Sequence, residues 1–199
     1  MNRVPVILPA LILGLSFASA TPARAQVPSP ANSSVDACLI VCPRGDFVLH
    51  VTVRNEIGNP IPGSSVTVDL CPTPTVHLCP ALTVCTLQSV TDGNGQVAFA
   101  IEAGGITTGP VNVIADGVIL RQLPVASPDR NGDLVVDAAD VALVSGRQGM
   151  VDRTADLDCD DSVVDAQDVA VAQAHVGHTC HGPTRTTPSS WGSVKTIYR

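Results

Sequence analysis

Aromatic side chains are scarce in this chain, with three Phe, one Trp and one Tyr in 199 residues. One Phe lies in the apolar N-terminal run, and Trp191 and Tyr198 lie near the C-terminal end. Any core between them must be built from Val, Ile, Leu and Ala, with Phe47 and Phe99 as its only large rings. Glutamate is scarcer still, at Glu56 and Glu102 alone. There is no Gly-x-Ser-x-Gly elbow, no His-Glu-x-x-His and no phosphate-binding loop, so the sequence offers no catalytic constellation. Positive charge is also short, 11 Lys and Arg against 18 Asp and Glu, for a net −7. That balance disfavours nucleic acid and anionic membrane surfaces as partners.

Beyond the N-terminal run, no stretch is apolar enough to span a bilayer. Residues 1–25 read as a secretory signal peptide: Arg3 supplies the positive start, a short apolar run follows, and Ala23-Arg24-Ala25 places small residues at the cleavage positions. Its removal takes away Arg3 and Arg24 and leaves 9 − 18 = −9. The expectation is a secreted, extracellular or cell-surface protein. Residues 26–36, with Pro28 and Pro30 among Ser and Asn, read as a flexible leader.

From 37 to 126 the apolar residues alternate as they do in strands. Phe47, Leu49, Val51 and Val53 form one series, Val66, Val68 and Leu70 a second, and Val97, Phe99 and Ile101 a third. Asp116-Gly117 between Val111–Ala115 and Val118–Leu120 is a type I′ hairpin signal. Turn clusters at 55–62 and 92–95 punctuate the rest. The fold class expected is mainly β with a small α module, the β part an antiparallel sandwich.

The α module follows from a repeat. In Asp129-Arg130-Asn131-Gly132-Asp133-Leu134-Val135-Val136-Asp137-Ala138-Ala139-Asp140, side-chain oxygens stand at positions 1, 3, 5, 9 and 12, and Val135 at position 7 offers a backbone carbonyl. This is the spacing with which an EF-hand loop surrounds a hard cation. Val-Val-Asp-Ala-x-Asp-Val-Ala occurs at 135–142 and again at 163–170. In the second copy Asp156, Asp158, Asp160, Asp165 and Asp168 take the corresponding places. That copy is one residue too long, with the extra residue placed between Asp160 and Val163. Position 6 of the first loop is Leu134 where Gly is wanted, a strain of about 1–2 kcal/mol. From 129 to 180 there are 11 Asp against Arg130, Arg147 and Arg153, a charge of −8. Two divalent cations would cancel half of it. The alternative is a pair of solvated acidic turns that cap helices.

The pair of Asp-x-Asn/Asp-x-Asp loops, each running straight into one short helix, resembles a dockerin domain. The resemblance covers 128–180 and implies two Ca²⁺ sites and calcium-dependent docking to a cohesin-like or surface protein. Partner-contacting positions 10 and 11 of such loops correspond here to Ala138-Ala139 and Ala166-Gln167, which lack the hydroxyls expected for a cohesin. Upstream, Val51-Thr52-Val53-Arg54-Asn55, Gly58-Asn59-Pro60-Ile61-Pro62-Gly63 and Thr91-Asp92-Gly93-Asn94-Gly95-Gln96-Val97 resemble bacterial immunoglobulin-like domains. That likeness implies a sandwich fold and no chemistry.

Seven cysteines lie at 38, 42, 71, 79, 85, 159 and 180. In an exported protein disulfides are expected before zinc. Cys159 and Cys180, the two within 128–180, are expected to pair with each other, stapling that module independently of the sandwich. The helices after the loops carry apolar stripes at Val141, Val144 and at Val169, Ala172, Val176, with Gly149 and Gly177 as C-caps. His175, His178 and His181 invite a metal reading, but a helix dipole favours His at that end in any case, and the helix-end role is the one expected. Residues 181–199 are a linker and a basic, aromatic tail, either a recognition tag or a frayed end. The function expected is non-catalytic calcium-dependent docking; the alternative is calcium as a purely structural element, with the sandwich binding carbohydrate or a surface protein.

Overall fold

The computed structural model describes residues 26–181; the signal-peptide segment and the tail from 182 onward lie outside the described residues. Strands appear where apolar residues alternate. β1 (Ser34–Val35), β3 (Val48–Thr52) and β7 (Gln96–Ala100) form one three-stranded sheet in the order β1-β3-β7. β2 (Leu39–Ile40), β4 (Ser65–Asp69), β6 (Thr86–Val90), β9 (Thr107–Ala115) and β10 (Val118–Ala126) form a five-stranded sheet ordered β2-β10-β9-β4-β6. A small ribbon pairs β5 (His77–Leu78) with β8 (Ala103–Gly104). The fold is mainly β with a small α module, and pairing is antiparallel except where β2 joins β10 in parallel.

The expected alternation sets the core. Leu49, Val51 and Phe99 from the first sheet meet Val66, Val68, Val111, Val113, Leu123 and Val125 from the second, all buried. Asp116 and Gly117 take φ of 46° and 84°, the left-handed pair that a type I′ turn demands, and join β9 to β10. Residues 26–36 are a correction: they do not form a free leader. Ser29 N–H donates to the Arg54 carbonyl at 2.8 Å, Ser29 is buried, and β1 pairs with β3.

The α module holds α1 (Ala138–Ser145) and α2 (Ala166–Ala174). Both end before the expected glycine caps, at Gly146 and His175. Gly149 and Gly177, at φ of 79° and 90°, instead turn the chain after each helix. The two units interlock. Gly177 N–H donates to the Val136 carbonyl and Val136 N–H to the His178 carbonyl, so the first loop pairs with the segment that follows α2. Gly149 N–H donates to the Val164 carbonyl and Val164 N–H to the Met150 carbonyl, so the second loop pairs with the segment that follows α1. Arg130 reinforces this from the first loop. Its buried guanidinium donates to the Thr154 carbonyl and reaches Asp152 at 3.5 Å.

The module is not separate from the sheets. Val144, Ala155, Leu157, Val164 and Ala172 share a second core with Ile40, Ala126 and Phe47. Among the described residues three disulfides form: Cys38–Cys159, Cys71–Cys85 and Cys79–Cys180, with Cα separations of 5.9, 4.9 and 5.5 Å. The expected Cys159–Cys180 pair is therefore overturned, and so is independent stapling. The interlock explains why: the chain leaving α2 crosses to the first loop and carries Cys180 away from the second loop to the β5–β8 ribbon.

Candidate metal centre

Each loop is held by its own carboxylates. In the first, Asp129 is wholly buried and accepts from Gly132 N–H at 2.8 Å and Leu134 N–H at 2.9 Å. Asn131 Oδ1 accepts from Asp133 N–H, and Asp133 Oδ1 from Val135 N–H. Asp137 caps α1 by accepting from Ala139 N–H at 2.7 Å. Asp140, also wholly buried, closes the loop on Arg130, Asn131 and Asp137 N–H groups at 2.9, 3.1 and 3.0 Å. Such reciprocal caps satisfy helix N–H groups that the helix itself leaves free. The first loop also seats against the ribbon. Gly105 N–H donates to the Asp129 carbonyl at 2.8 Å, and a methyl group at Gly104 would overlap the Asp129 carboxylate.

The second loop repeats the pattern. Asp156 accepts from Cys159 and Ser162 N–H at 2.8 and 3.1 Å. Asp168 closes on Leu157, Asp158 and Asp165, and Asp165 caps α2 through Gln167 N–H. The match locates the extra residue. Cys159 and Ser162, at φ of 64° and 72°, stand where Gly132 and Leu134, at 76° and 68°, stand in the first loop. Asp161 accepts from Val163 N–H as Asp133 does from Val135. The surplus residue is thus Asp160, and Asp161 takes the fifth position in place of the expected Asp160.

The electrostatics of both loops are those of anions held together without neutralisation. Burial pushes the Asp129 carboxyl up to about 6 against its bonds from Gly132 and Leu134, and Asp140 and Asp133 push it the same way. Burial, then the charge of Asp168, raises Asp156 and Asp158 as well, with the Cys159 N–H pulling Asp156 back. Asp156, Asp158 and Asp168 bring carboxylate oxygens within 4.8 Å of one another. Asp158 Oδ1 is the one buried side-chain oxygen or nitrogen among the described residues that lacks a hydrogen-bond partner. A buried polar atom without a partner costs about 1–3 kcal/mol, more when charged. The donor set fits a hard divalent cation: carboxylates and an amide, all oxygen.

The structure thus brings Asp129, Asn131, Asp133, Val135, Asp137 and Asp140 onto one short loop, and Asp156, Asp158, Asp165 and Asp168 onto its repeat. Reading the sequence missed Asp161, which two adjacent Asp residues made indistinguishable from Asp160. It also missed Arg130 as the tie to Asp152, and the pairings of His178 with Asp46 at 2.7 Å and of His181 with Glu102 at 3.2 Å. No local spacing signals those long-range pairs. No helix among the described residues is long and apolar enough to cross a membrane. Comparison with family models, curated proteins and solved structures gave no match, so the arrangement of these residues alone carries the functional reading.

Proposed function

We propose that this is a secreted, non-catalytic calcium-binding protein whose two loop–helix units are ordered by calcium and present a docking surface to an extracellular protein. The observation that carries the reading is the loop repeat with its partnerless Asp158 Oδ1 inside a cluster of three carboxylates. Asp129, Asn131, Asp133, the Val135 carbonyl, Asp137 and Asp140 would hold one ion. Asp156, Asp158, Asp161, Asp165 and Asp168 would hold the other. The ions supply charge neutralisation and loop order, and the chain does the rest: Asp140 and Asp168 fix the loop ends, and Asp137 and Asp165 start the helices. Ala138, Ala139, Ala166 and Gln167 are exposed at the helix starts and Leu143 near the end of α1, a largely apolar surface suited to a partner unlike a hydroxyl-reading cohesin. Disulfides support an oxidising location.

A second reading is favoured by the shared core of Val144, Leu157 and Ala172 with Ile40 and Phe47. In it calcium is a structural staple, and the sheets bind carbohydrate or a surface protein. Calorimetry of the full chain with calcium and then EDTA is expected to show a raised melting temperature reversed by chelation, as binding to the folded state requires. Capture from the source secretome, with and without chelator, separates the readings. Calcium-dependent capture that Leu143→Asp abolishes supports docking; a melting shift without such capture supports the staple. An unchanged melt overturns both.

A further inference from the structure

Where the module meets the sheets lies a second cluster, made by none of the loop ligands. Among the described residues Cys42 is the one unpaired cysteine, and it is wholly buried. It precedes a tight turn in which Gly45, at φ 71°, returns its N–H to the Cys42 carbonyl at 2.8 Å, which places Asp46 beside the thiol. His178 arrives from beyond α2. Cys42 Sγ lies 3.8 Å from His178 Nδ1 and 3.9 Å from Asp46 Oδ2, and those two atoms are 2.7 Å apart.

A nucleophilic Cys–His–Asp relay needs the thiol on one ring nitrogen and the orienting carboxylate on the other. Here both face Nδ1, so the cluster is not a relay. Three different donors meet at one point instead. Tetrahedral bonds of about 2.3 Å to sulfur, 2.05 Å to nitrogen and 2.1 Å to oxygen put donor–donor edges near 3.6 Å for S–N and S–O and about 3.4 Å for N–O. The sulfur edges agree to within a few tenths of an ångström. The nitrogen–oxygen edge is shorter because a hydrogen bond now spans it.

We infer that Cys42, Asp46 and His178 form a three-ligand site for a borderline divalent transition cation, zinc above all, that clamps the β2 end of the sheets to the end of the second loop–helix unit. Thiolate with imidazole selects such ions over calcium, which prefers oxygen alone. The ligands are already held. His178 N–H donates to the His175 carbonyl at 3.0 Å, its carbonyl accepts from Val136, and its ring meets the His175 ring, which stacks on Phe47 at 4.8 Å. The His178 and Asp46 side chains keep 21% and 36% exposure, which gives an ion a route in and leaves the fourth position to water. Binding releases the proton of the buried Cys42 thiol to solvent.

The test is independent of the calcium reading, because it is run on the full chain in excess calcium. Titration with Co²⁺ should give a thiolate-to-cobalt charge-transfer band saturating at one ion per chain, bleached by zinc and untouched by further calcium. Cys42→Ser should remove the band, and Asp46→Asn and His178→Gln should each weaken zinc binding about tenfold or more. His181→Ala, outside the triad, should leave it unchanged. If Cys42→Ser does not fold, the partly exposed Asp46 decides through Asp46→Asn. A wild-type protein without the band, a band that survives Cys42→Ser, or zinc affinity unmoved by Asp46→Asn would reduce the cluster to an ion pair beside a buried thiol.

Discussion

The buried Oδ1 of Asp158 has no partner, whereas its counterpart in the first loop, Asn131 Oδ1, takes the Asp133 N–H at 2.8 Å. The two loops therefore differ at one residue in how far their own N–H groups satisfy the third-position oxygen. Asp158→Ala removes both the uncompensated atom and a proposed ligand. In EDTA the variant is expected to be at least as stable as the parent, by up to about 1–3 kcal/mol, while the calcium-induced rise in melting temperature shrinks. Scanning calorimetry with and without calcium measures both, and a variant destabilised in EDTA would show that Asp158 is satisfied without an ion. The loop carboxylates that hold the backbone were legible because oxygen-bearing side chains recur at fixed offsets and Val-Val-Asp-Ala-x-Asp marks the repeat. Asp160 and Asp161 were not separable, since only backbone conformation, left-handed at Cys159 and Ser162, decides which one is looped out.

Each helix begins at an aspartate that serves as cap and, in the proposed reading, as ligand, and each is short enough for the cap to matter. Asp137 and Asp165 both complete capping boxes with the acid three residues on. Asp137→Ala should lower stability in EDTA by about 1 kcal/mol and by more in calcium, where a ligand is lost as well. Equal losses in the two conditions, read from urea melts, would remove Asp137 from the cation's shell. Strands were legible where burial alternates, as in β3, β4 and β7, and at the Asp116-Gly117 hairpin. They were hidden where it does not: β6 is exposed along most of its length, and β1 is two residues paired with Val51 and Thr52 of β3. Local pattern carries no trace of a partner twenty residues away.

At the scale of the molecule, two disulfides join the sheets to the loops across 121 and 101 residues. Cross-links closing chains of that length remove about 4–5 kcal/mol of unfolded-state entropy each in the chain-entropy account. Non-reducing peptide mapping is expected to recover Cys38–Cys159, Cys71–Cys85 and Cys79–Cys180, with Cys42 resisting alkylation until denaturation. A Cys159–Cys180 peptide would restore two independently stapled halves. Seven cysteines allow many pairings, and which one forms depends on the crossing of the chain after α2, a tertiary fact that spacing does not record. The crossing and the cross-links also settle how the protein responds to a pull. Tension between residues 26 and 181 passes from Cys38 straight to Cys159 and then along 180 − 159 = 21 residues to Cys180. The other covalent route, from Cys180 through Cys79 back to Cys38, runs 79 − 38 = 41 residues and stays slack. Past Cys38 the oxidised chain can span at most about 70 Å when fully extended. All of that extension comes from the end of the second loop, α2 and the segment after it, so apart from β1 the strands are shielded from force, while the bonds of Gly177 and His178 to Val136 and the proposed ion site that Asp168 shares with Asp156 and Asp158 are where it acts.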